Sequence, residues 1–142
     1  MDINDKLIKA CENGDLSTVK ECLERGANIH ALDDYALREA AIKGHLEVVQ
    51  YLVEQGADIH VVDDWALQCA AADGRLEVVK YLIKQGVDIH AYNDDALLWA
   101  ASYGHLQVVN ALRKAAGDKY KCHRCIIKST CLELCKDFRN EH

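Results

Sequence analysis

The sequence predicts an all-α solenoid made of four copies of a 30-residue helix-turn-helix unit, followed by a short cysteine-rich segment. Residues 31–60 align with residues 61–90 without a gap, and residues 1–30 and 91–120 fit the same frame. Each unit carries two short apolar stripes at helical spacing, and glycine recurs at fixed positions. A fixed period of this length is typical of solenoids, in which each unit buries its apolar face only against its neighbours.

These boundaries divide the chain into repeat 1 (1–30), repeat 2 (31–60), repeat 3 (61–90), repeat 4 (91–120) and a cysteine-rich tail (121–142). Positions within a repeat are numbered from its first residue. Repeats 1 and 4 are expected to cap the stack, because the terminal units of a solenoid need a more polar outer face.

Each repeat is predicted to contain two short helices. The first spans residues 35–43 of repeat 2 and ends at a glycine, which permits a left-handed C-cap cheaply. The second, LEVVQYLVEQ in repeat 2, places Val48, Val49 and Leu52 on one face. Helices this short are marginal alone, so stacking must stabilise them. The glycine recurs at position 14 as Gly14, Gly44, Gly74 and Gly104.

The fourth position of every repeat is Asn4, Asp34, Asp64 or Asp94. Asparagine and aspartate are preferred helix N-caps, because their side chains accept hydrogen bonds from the unpaired amides of the first turn. We therefore expect these residues to cap the first helices.

Length and composition restrict the classes of protein to consider. A chain of 142 residues is sufficient for one domain with a real core. No apolar run approaches the roughly 20 residues of a membrane span, and MDINDKLIKA does not resemble a secretory signal. We expect an intracellular, cytoplasmic protein in a reducing compartment, where cysteines are thiols or metal ligands rather than disulfides.

The charge is distributed unevenly. Residues 1–112 carry 9 Lys/Arg against 19 Asp/Glu, a balance of −10, whereas residues 113–142 carry 8 against 4, a balance of +4. An acidic body repels phosphate backbones, so nucleic acid is an unlikely partner for it. Contact with nucleic acid through the basic end is kept as an alternative, and it would use Arg113, Lys114, Lys119, Lys121, Arg124 and Lys128.

The repeated residues resemble the ankyrin repeat. The resemblance rests on the paired alanines before the glycine and on GHLEVVQYLVEQGADIH, and it covers residues 1–120. The unit is shorter than the family's roughly 33 residues. DYALR, DWALQ and DDALL stand where the family has Thr-Pro-Leu-His, and the chain has no proline. Short, proline-free repeats of this kind are similar to those of giant DNA viruses of amoebae, which would place the protein in a host cytoplasm.

The resemblance implies a protein–protein interaction module that binds through its hairpin edge and concave face. Positions 5, 8, 12 and 13 vary between repeats, and no catalytic motif appears, so we expect no enzymatic activity. The acidic body favours a protein partner with a basic or mixed surface. A structural or self-associating role is the alternative from another class. The candidate partner-binding residues are Tyr35, Arg38, Ile42, Lys43, Trp65, Gln68, Asp73 and Tyr103.

Histidine recurs once per repeat as His30, His60 and His90, and His45 and His105 form a partial second row. Helices of neighbouring repeats lie about 8–10 Å apart, whereas zinc needs its nitrogen ligands at about 2 Å. We therefore expect these histidines to hydrogen-bond loop backbone and bridge repeats. Among the other side chains, Cys11, Cys22 and Cys69 are expected to pack in the interior, and Trp99 is expected to be mostly a packing residue.

The tail contains Cys122, Cys125, Cys131 and Cys135 in a C-x2-C-x5-C-x3-C pattern. Two pairs of thiolates facing each other would hold one structural zinc ion. Two disulfides, an iron–sulfur cluster and free thiols remain alternatives. In each case a segment this short needs a docking surface or a cross-link, so the tail is predicted to form a clasp on repeat 4.

Overall fold

The computed structural model describes residues 2–87, 89 and 91–116. This part of the chain contains eight α-helices and no strand, which confirms the predicted all-α solenoid. Each 30-residue unit contributes two helices. They are α1 (Ile3–Asn13), α2 (Leu16–Glu24), α3 (Ala31–Lys43), α4 (Leu46–Glu54), α5 (Val61–Ala72), α6 (Leu76–Lys84), α7 (Ala91–Ser102) and α8 (Leu106–Ala116).

The helices form two layers. The first helices of the repeats, α1, α3, α5 and α7, pack on one another in succession, and the second helices do the same behind them. The main helix–helix contacts therefore link elements of the same repeat or of adjacent repeats, as a solenoid requires.

The same positions of every repeat supply the core. In repeat 2, Leu37, Ala40 and Ala41 of α3 are buried, and Val49 and Leu52 of α4 meet them from the second layer. The paired alanines leave room for neighbouring first helices to approach closely. Burying a side chain the size of leucine contributes roughly 1.5–3 kcal/mol. Truncating Leu52 to alanine would therefore cost about 2–5 kcal/mol, because a cavity adds to the lost burial.

The turns after the first helices of repeats 1 and 2 depend on glycine for two reasons. Gly14 and Gly44 adopt the left-handed conformation, with φ values of 72° and 77°, and their N–H groups close the preceding helix, which confirms the predicted C-caps. A Cβ atom on Gly14 would also lie 2.6 Å from Nδ1 of His45 in the next repeat. Gly44 is covered in the same way by the side chain of Arg75.

A side chain at position 15 ties each of repeats 2 to 4 to the repeat before it. Nε2 of His45 lies 2.9 Å from the carbonyl oxygen of Glu12, and Nε2 of His105 lies 2.9 Å from that of Ala72. Repeat 3 achieves the same link with arginine, because Nε of Arg75 donates to the carbonyl oxygen of Ile42 at 2.8 Å. The prediction that His45 and His105 bridge repeats is confirmed.

The N-cap prediction for the fourth position is wrong at the two residues where the side chain is described. Asn4 lies inside α1, and its Oδ1 accepts a hydrogen bond from the N–H of Asn28 at 2.7 Å. Oδ1 of the buried Asp34 accepts from the N–H of Asp58 at 3.4 Å and lies 2.8 Å from Nδ1 of His30. In these two repeats the residue at the fourth position thus links the start of the repeat to the loop that follows its second helix.

The start of α3 is unusual. Leu32, Asp33 and Asp34 have φ values of 54°, 56° and 54°, which places three successive residues in the left-handed region. Each such residue costs roughly 1–2 kcal/mol relative to right-handed backbone. The contact of Asp34 with Asp58, in the loop after α4, helps to hold this turn.

Candidate partner-binding surface

The first helices expose one continuous face, which consists of positions 5, 9, 12 and 13 and is called the first-helix face below. All of its members are exposed or half-buried, whereas positions 7, 10 and 11 face the core. The face consists of Asp5, Lys9, Glu12 and Asn13 in repeat 1; Tyr35, Glu39, Ile42 and Lys43 in repeat 2; Trp65, Cys69, Ala72 and Asp73 in repeat 3; and Asp95, Trp99, Ser102 and Tyr103 in repeat 4.

In repeat 2 two charged residues, Arg38 and Glu39, contact the side chain of Tyr35. The guanidinium carbon of Arg38 lies 5.0 Å from the ring centroid of Tyr35, and its NH2 group donates to the carbonyl oxygen of Leu32 at 3.1 Å. A hydrogen bond to the carboxylate of Glu39 raises the pKa of Tyr35. Arg38 Nε is buried and has no hydrogen-bond partner in the described part of the chain. The guanidinium of Arg38 is therefore engaged with the ring of Tyr35 and with the carbonyl oxygen of Leu32. Arg38 positions Tyr35 and does not present a free guanidinium to a partner.

Repeat 3 divides the predicted residues between surface and interior. Trp65 is 39% exposed and Asp73 is exposed, as a partner-binding role requires. Gln68 is only 4% exposed and makes its polar contacts inside the protein, so it does not form part of the first-helix face. Cys69 lies half-buried on the face, and burial raises the pKa of its thiol to about 11.

Repeat 4 carries an exposed aromatic stack. The rings of Trp99 and Tyr103 are nearly parallel, at 13°, with centroids 5.8 Å apart, and their exposed fractions are 45% and 60%. The expectation that Trp99 is mostly a packing residue is therefore wrong. The i, i+4 spacing of Trp99 and Tyr103 on one helix was the signal in the sequence that the two rings would meet.

Tyr103 also lies beside the junction of repeats 3 and 4. Its ring centroid lies 6.4 Å from that of His105, which bridges back to the carbonyl oxygen of Ala72. These three residues line an open depression together with Asp73 and Arg75. The structure thus brings together Asp73 and Tyr103, which the sequence predicted separately, and adds the basic group of Arg75 beside the aromatic ring.

The same face is different at the other end of the stack. In repeat 1 it carries Asp5, Lys9, Glu12 and Asn13, which are all exposed and contain no aromatic ring. Across the four repeats the face holds five carboxylates and two lysines. A weakly acidic surface therefore runs from a polar beginning to an aromatic end.

The interior cysteines are not part of this surface. Cys11 and Cys22 are fully buried, which confirms their predicted packing role. Burial, reinforced by the neighbouring Cys22, raises the pKa of Cys11 to about 12. The four predicted zinc ligands of the tail lie outside the described residues, and within those residues no group of three or more His, Cys, Asp or Glu side chains is placed to hold a metal ion.

The architecture is that of a helical-repeat protein, and comparison with known families identifies which one. A family model described as ankyrin repeats in three copies matches the chain twice, over residues 3–63 and 63–122. The chain belongs to the ankyrin repeat family, whose members are generally protein–protein interaction modules. No curated protein matches the chain. None of the described helices is long and apolar enough to cross a membrane.

Proposed function

We propose that the protein is a non-enzymatic interaction module that binds a protein partner through the first-helix face, with the aromatic residues of repeats 2 to 4 as its anchors. The observation that supports this most directly is the exposed Trp99–Tyr103 stack. Large exposed aromatic rings are unusual on a surface that only has to face water. Tryptophan and tyrosine are also the residue types that most often dominate binding energy.

The partner segment should be basic or mixed in charge. Residues 1–112 have a net charge of −10, and electrostatic matching speeds association and selects partners. Exposed tryptophan faces also attract arginine and lysine side chains through cation–π contacts. A partner with basic groups spaced between apolar ones would therefore match both features of the face.

Binding is favoured over catalysis by the state of the nucleophilic group on this face. Burial raises the pKa of the Cys69 thiol to about 11, which keeps it protonated near neutral pH. A protonated thiol is a poor nucleophile.

Selection from a random peptide library displayed on phage would test the proposal without knowledge of the natural partner. We expect peptides enriched on the full chain to be basic, and Tyr35→Ala/Trp65→Ala to weaken their binding by about tenfold or more. The matched control is Glu47→Ala/Glu77→Ala, which changes two exposed residues of the second helices. Equal binding by both double variants would place the interaction elsewhere.

The salt dependence of binding distinguishes the proposed protein partner from the nucleic-acid alternative. Contact with a phosphate backbone through the basic end would weaken steeply as salt rises, because counterions are released on binding. Peptide binding centred on the aromatic residues should weaken only modestly over the same range.

We further propose that Cys122, Cys125, Cys131 and Cys135 hold one structural zinc ion, a proposal supported by their spacing alone. Elemental analysis of reduced protein should find about one zinc per chain. Four rapidly reactive thiols without zinc would rule out the site. No reactive tail thiols and no zinc would indicate disulfides.

A further inference from the structure

Among the described residues, repeat 4 has a face that is less covered than the same face of repeats 1 to 3. Position 7 is fully buried in repeats 1 to 3 but only half-buried at Leu97, and position 11 changes in the same way at Ala101. Leu106 is 50% exposed, although its equivalents in the other repeats are half-buried. Gly104, Leu97, Ala101 and Leu106 are called the end face below.

The surroundings of Gly104 show which contact repeat 4 lacks among the described residues. A Cβ atom on Gly14, Gly44 or Gly74 would collide with a side chain of the following repeat, whereas one on Gly104 would have nothing within 4 Å among the described residues. In those three repeats the following repeat also contributes the side chain that bonds to the carbonyl oxygen at position 12. In repeat 4 that carbonyl belongs to Ser102.

These contacts define what would fit the end face. An occupant has to cover apolar surface at Leu97 and Leu106, and it has to bring a hydrogen-bond donor towards the turn at Ser102 and Gly104. Covering exposed apolar area is favourable because it removes that area from water, and a capped solenoid end avoids aggregation through that surface.

A second copy of the chain stacked head to tail does not meet this requirement. The residue that would approach the carbonyl of Ser102 is Asp15, where the internal repeats have histidine or arginine. The carboxylate of Asp15 instead accepts from the N–H of Thr18 at 3.2 Å and from its hydroxyl at 2.5 Å. These hydrogen bonds lower the pKa of Asp15, so it is ionised and would repel a carbonyl oxygen.

We propose that the chain's own C-terminal segment, residues 117–142, docks on the end face. It follows Ala116 of α8 directly, and so it begins within repeat 4 itself. Its sequence holds the apolar residues to cover the face and the donors His123 and Arg124 for the turn. Residues 113–142 carry a charge of +4, opposite to the −10 of the body. This inference does not depend on the proposed function.

Photo-crosslinking within the full chain tests the inference. The photoreactive amino acid p-benzoylphenylalanine is placed at position 106, in place of Leu106, and in a control chain at position 110, in place of Asn110. Position 20 of a repeat, which includes Asn110, is exposed or half-buried throughout, so its exposure does not report a missing neighbour. After irradiation of reduced protein, with and without added zinc, mass spectrometry identifies the linked peptides.

The expected result is an intramolecular link from position 106 to a peptide of residues 117–142 and none from position 110. Links that join two chains would show that a second copy occupies the end face and would overturn the inference. If position 106 forms no link to residues 117–142, with or without zinc, that result would overturn the inference as well.

A second measurement uses trypsin cleavage after Lys119, Lys121 and Arg124. Docking should slow cleavage, because proteases cut the undocked form. Leu106→Glu is expected to speed cleavage about tenfold, while Asn110→Glu, which adds the same charge beside the face, leaves the rate unchanged. The fold should survive in both variants, since each position is exposed, and circular dichroism checks this. Equal cleavage rates in the two variants would contradict docking.

Discussion

Repeats 1 and 4 have the same two-helix plan, but they carry different kinds of residue on the first-helix face. Ala10 and Ala100 occupy the same buried position, yet Lys9 faces outward in repeat 1 where Trp99 faces outward in repeat 4. The core position has to keep its size because neighbouring first helices pack against it, whereas the outward position has no such restriction. The difference shows that the exposed residues of the first-helix face vary independently of the residues that stabilise the stack, and that its aromatic groups are concentrated towards repeat 4.

The two repeats differ again at position 15. Asp15 of repeat 1 accepts hydrogen bonds from Thr18 and begins its own helix, whereas His105 of repeat 4 reaches back to the carbonyl oxygen of Ala72. In repeat 1 the side chain at position 15 therefore serves its own second helix, whereas in repeat 4 it serves the contact with the preceding repeat.

The largest effect should come from the matched substitutions Gly14→Ala and Gly104→Ala. Both glycines have positive φ, at 72° and 75°, so both variants lose about 1–2 kcal/mol to backbone strain. At Gly14 the new methyl group would also lie 2.6 Å from the ring of His45, which brings the total to about 2–4 kcal/mol. Urea unfolding monitored by circular dichroism measures both losses, and equal losses would mean that repeat packing does not depend on this approach.

Removing one link between repeats should have a smaller effect. His45→Ala deletes the hydrogen bond to the carbonyl oxygen of Glu12 and is expected to lower the free energy of unfolding by about 1 kcal/mol. Hydrogen exchange should show the loss at the interface of repeats 1 and 2 first, because stacking energy is shared between neighbours. An unchanged exchange pattern there would show that the bond contributes nothing.

The start of α2 in repeat 1 should be sensitive to acid. Hydrogen bonds from Thr18 lower the pKa of Asp15 below its ordinary value of 3.8, so its stabilising contribution is present above that pH and is lost as pH falls through the folded-state pKa. In Asp15→Asn, which retains a capping side chain without a charge, this contribution does not titrate. The stability difference between wild type and Asp15→Asn should therefore be constant above about pH 5 and shift only in more acidic buffer. A difference that does not change with pH would contradict this assignment.

Much of the fold could be predicted from the sequence, because it depends on residues that recur at fixed positions. Leu37, Ala40 and Gly44 are predictable from periodicity and from the demand for a left-handed turn. The role of Asp34 was not, since aspartate at a helix start usually caps that helix, and its actual partners are the ring of His30 and the N–H of Asp58, 24 residues away. A hydrogen bond across a repeat is decided by tertiary packing and leaves no local pattern.

The candidate partner-binding residues were predictable only in part, because the burial of each position also depends on tertiary packing. Variation between repeats correctly indicated that Trp65, Asp73 and Tyr103 are outward-facing. It failed for Gln68, because position 8 faces partly inward and a polar residue there can satisfy its hydrogen bonds in the interior. It also missed Trp99, which stands where its neighbours have glutamate and half-buried cysteine, since the size of an aromatic ring suggested packing.

The central claim is that the aromatic end of the first-helix face binds the partner. Its most direct test compares two double variants at identical repeat positions, Trp99→Ala/Tyr103→Ala in repeat 4 and Lys9→Ala/Asn13→Ala in repeat 1. Both remove exposed side chains, so each should change stability by only about 0.5–1 kcal/mol. Calorimetric titration with the tightest selected peptide should show affinity reduced about tenfold or more by the first variant and nearly unchanged in the second. An equal loss in both variants, or a loss only in the second, would contradict the account.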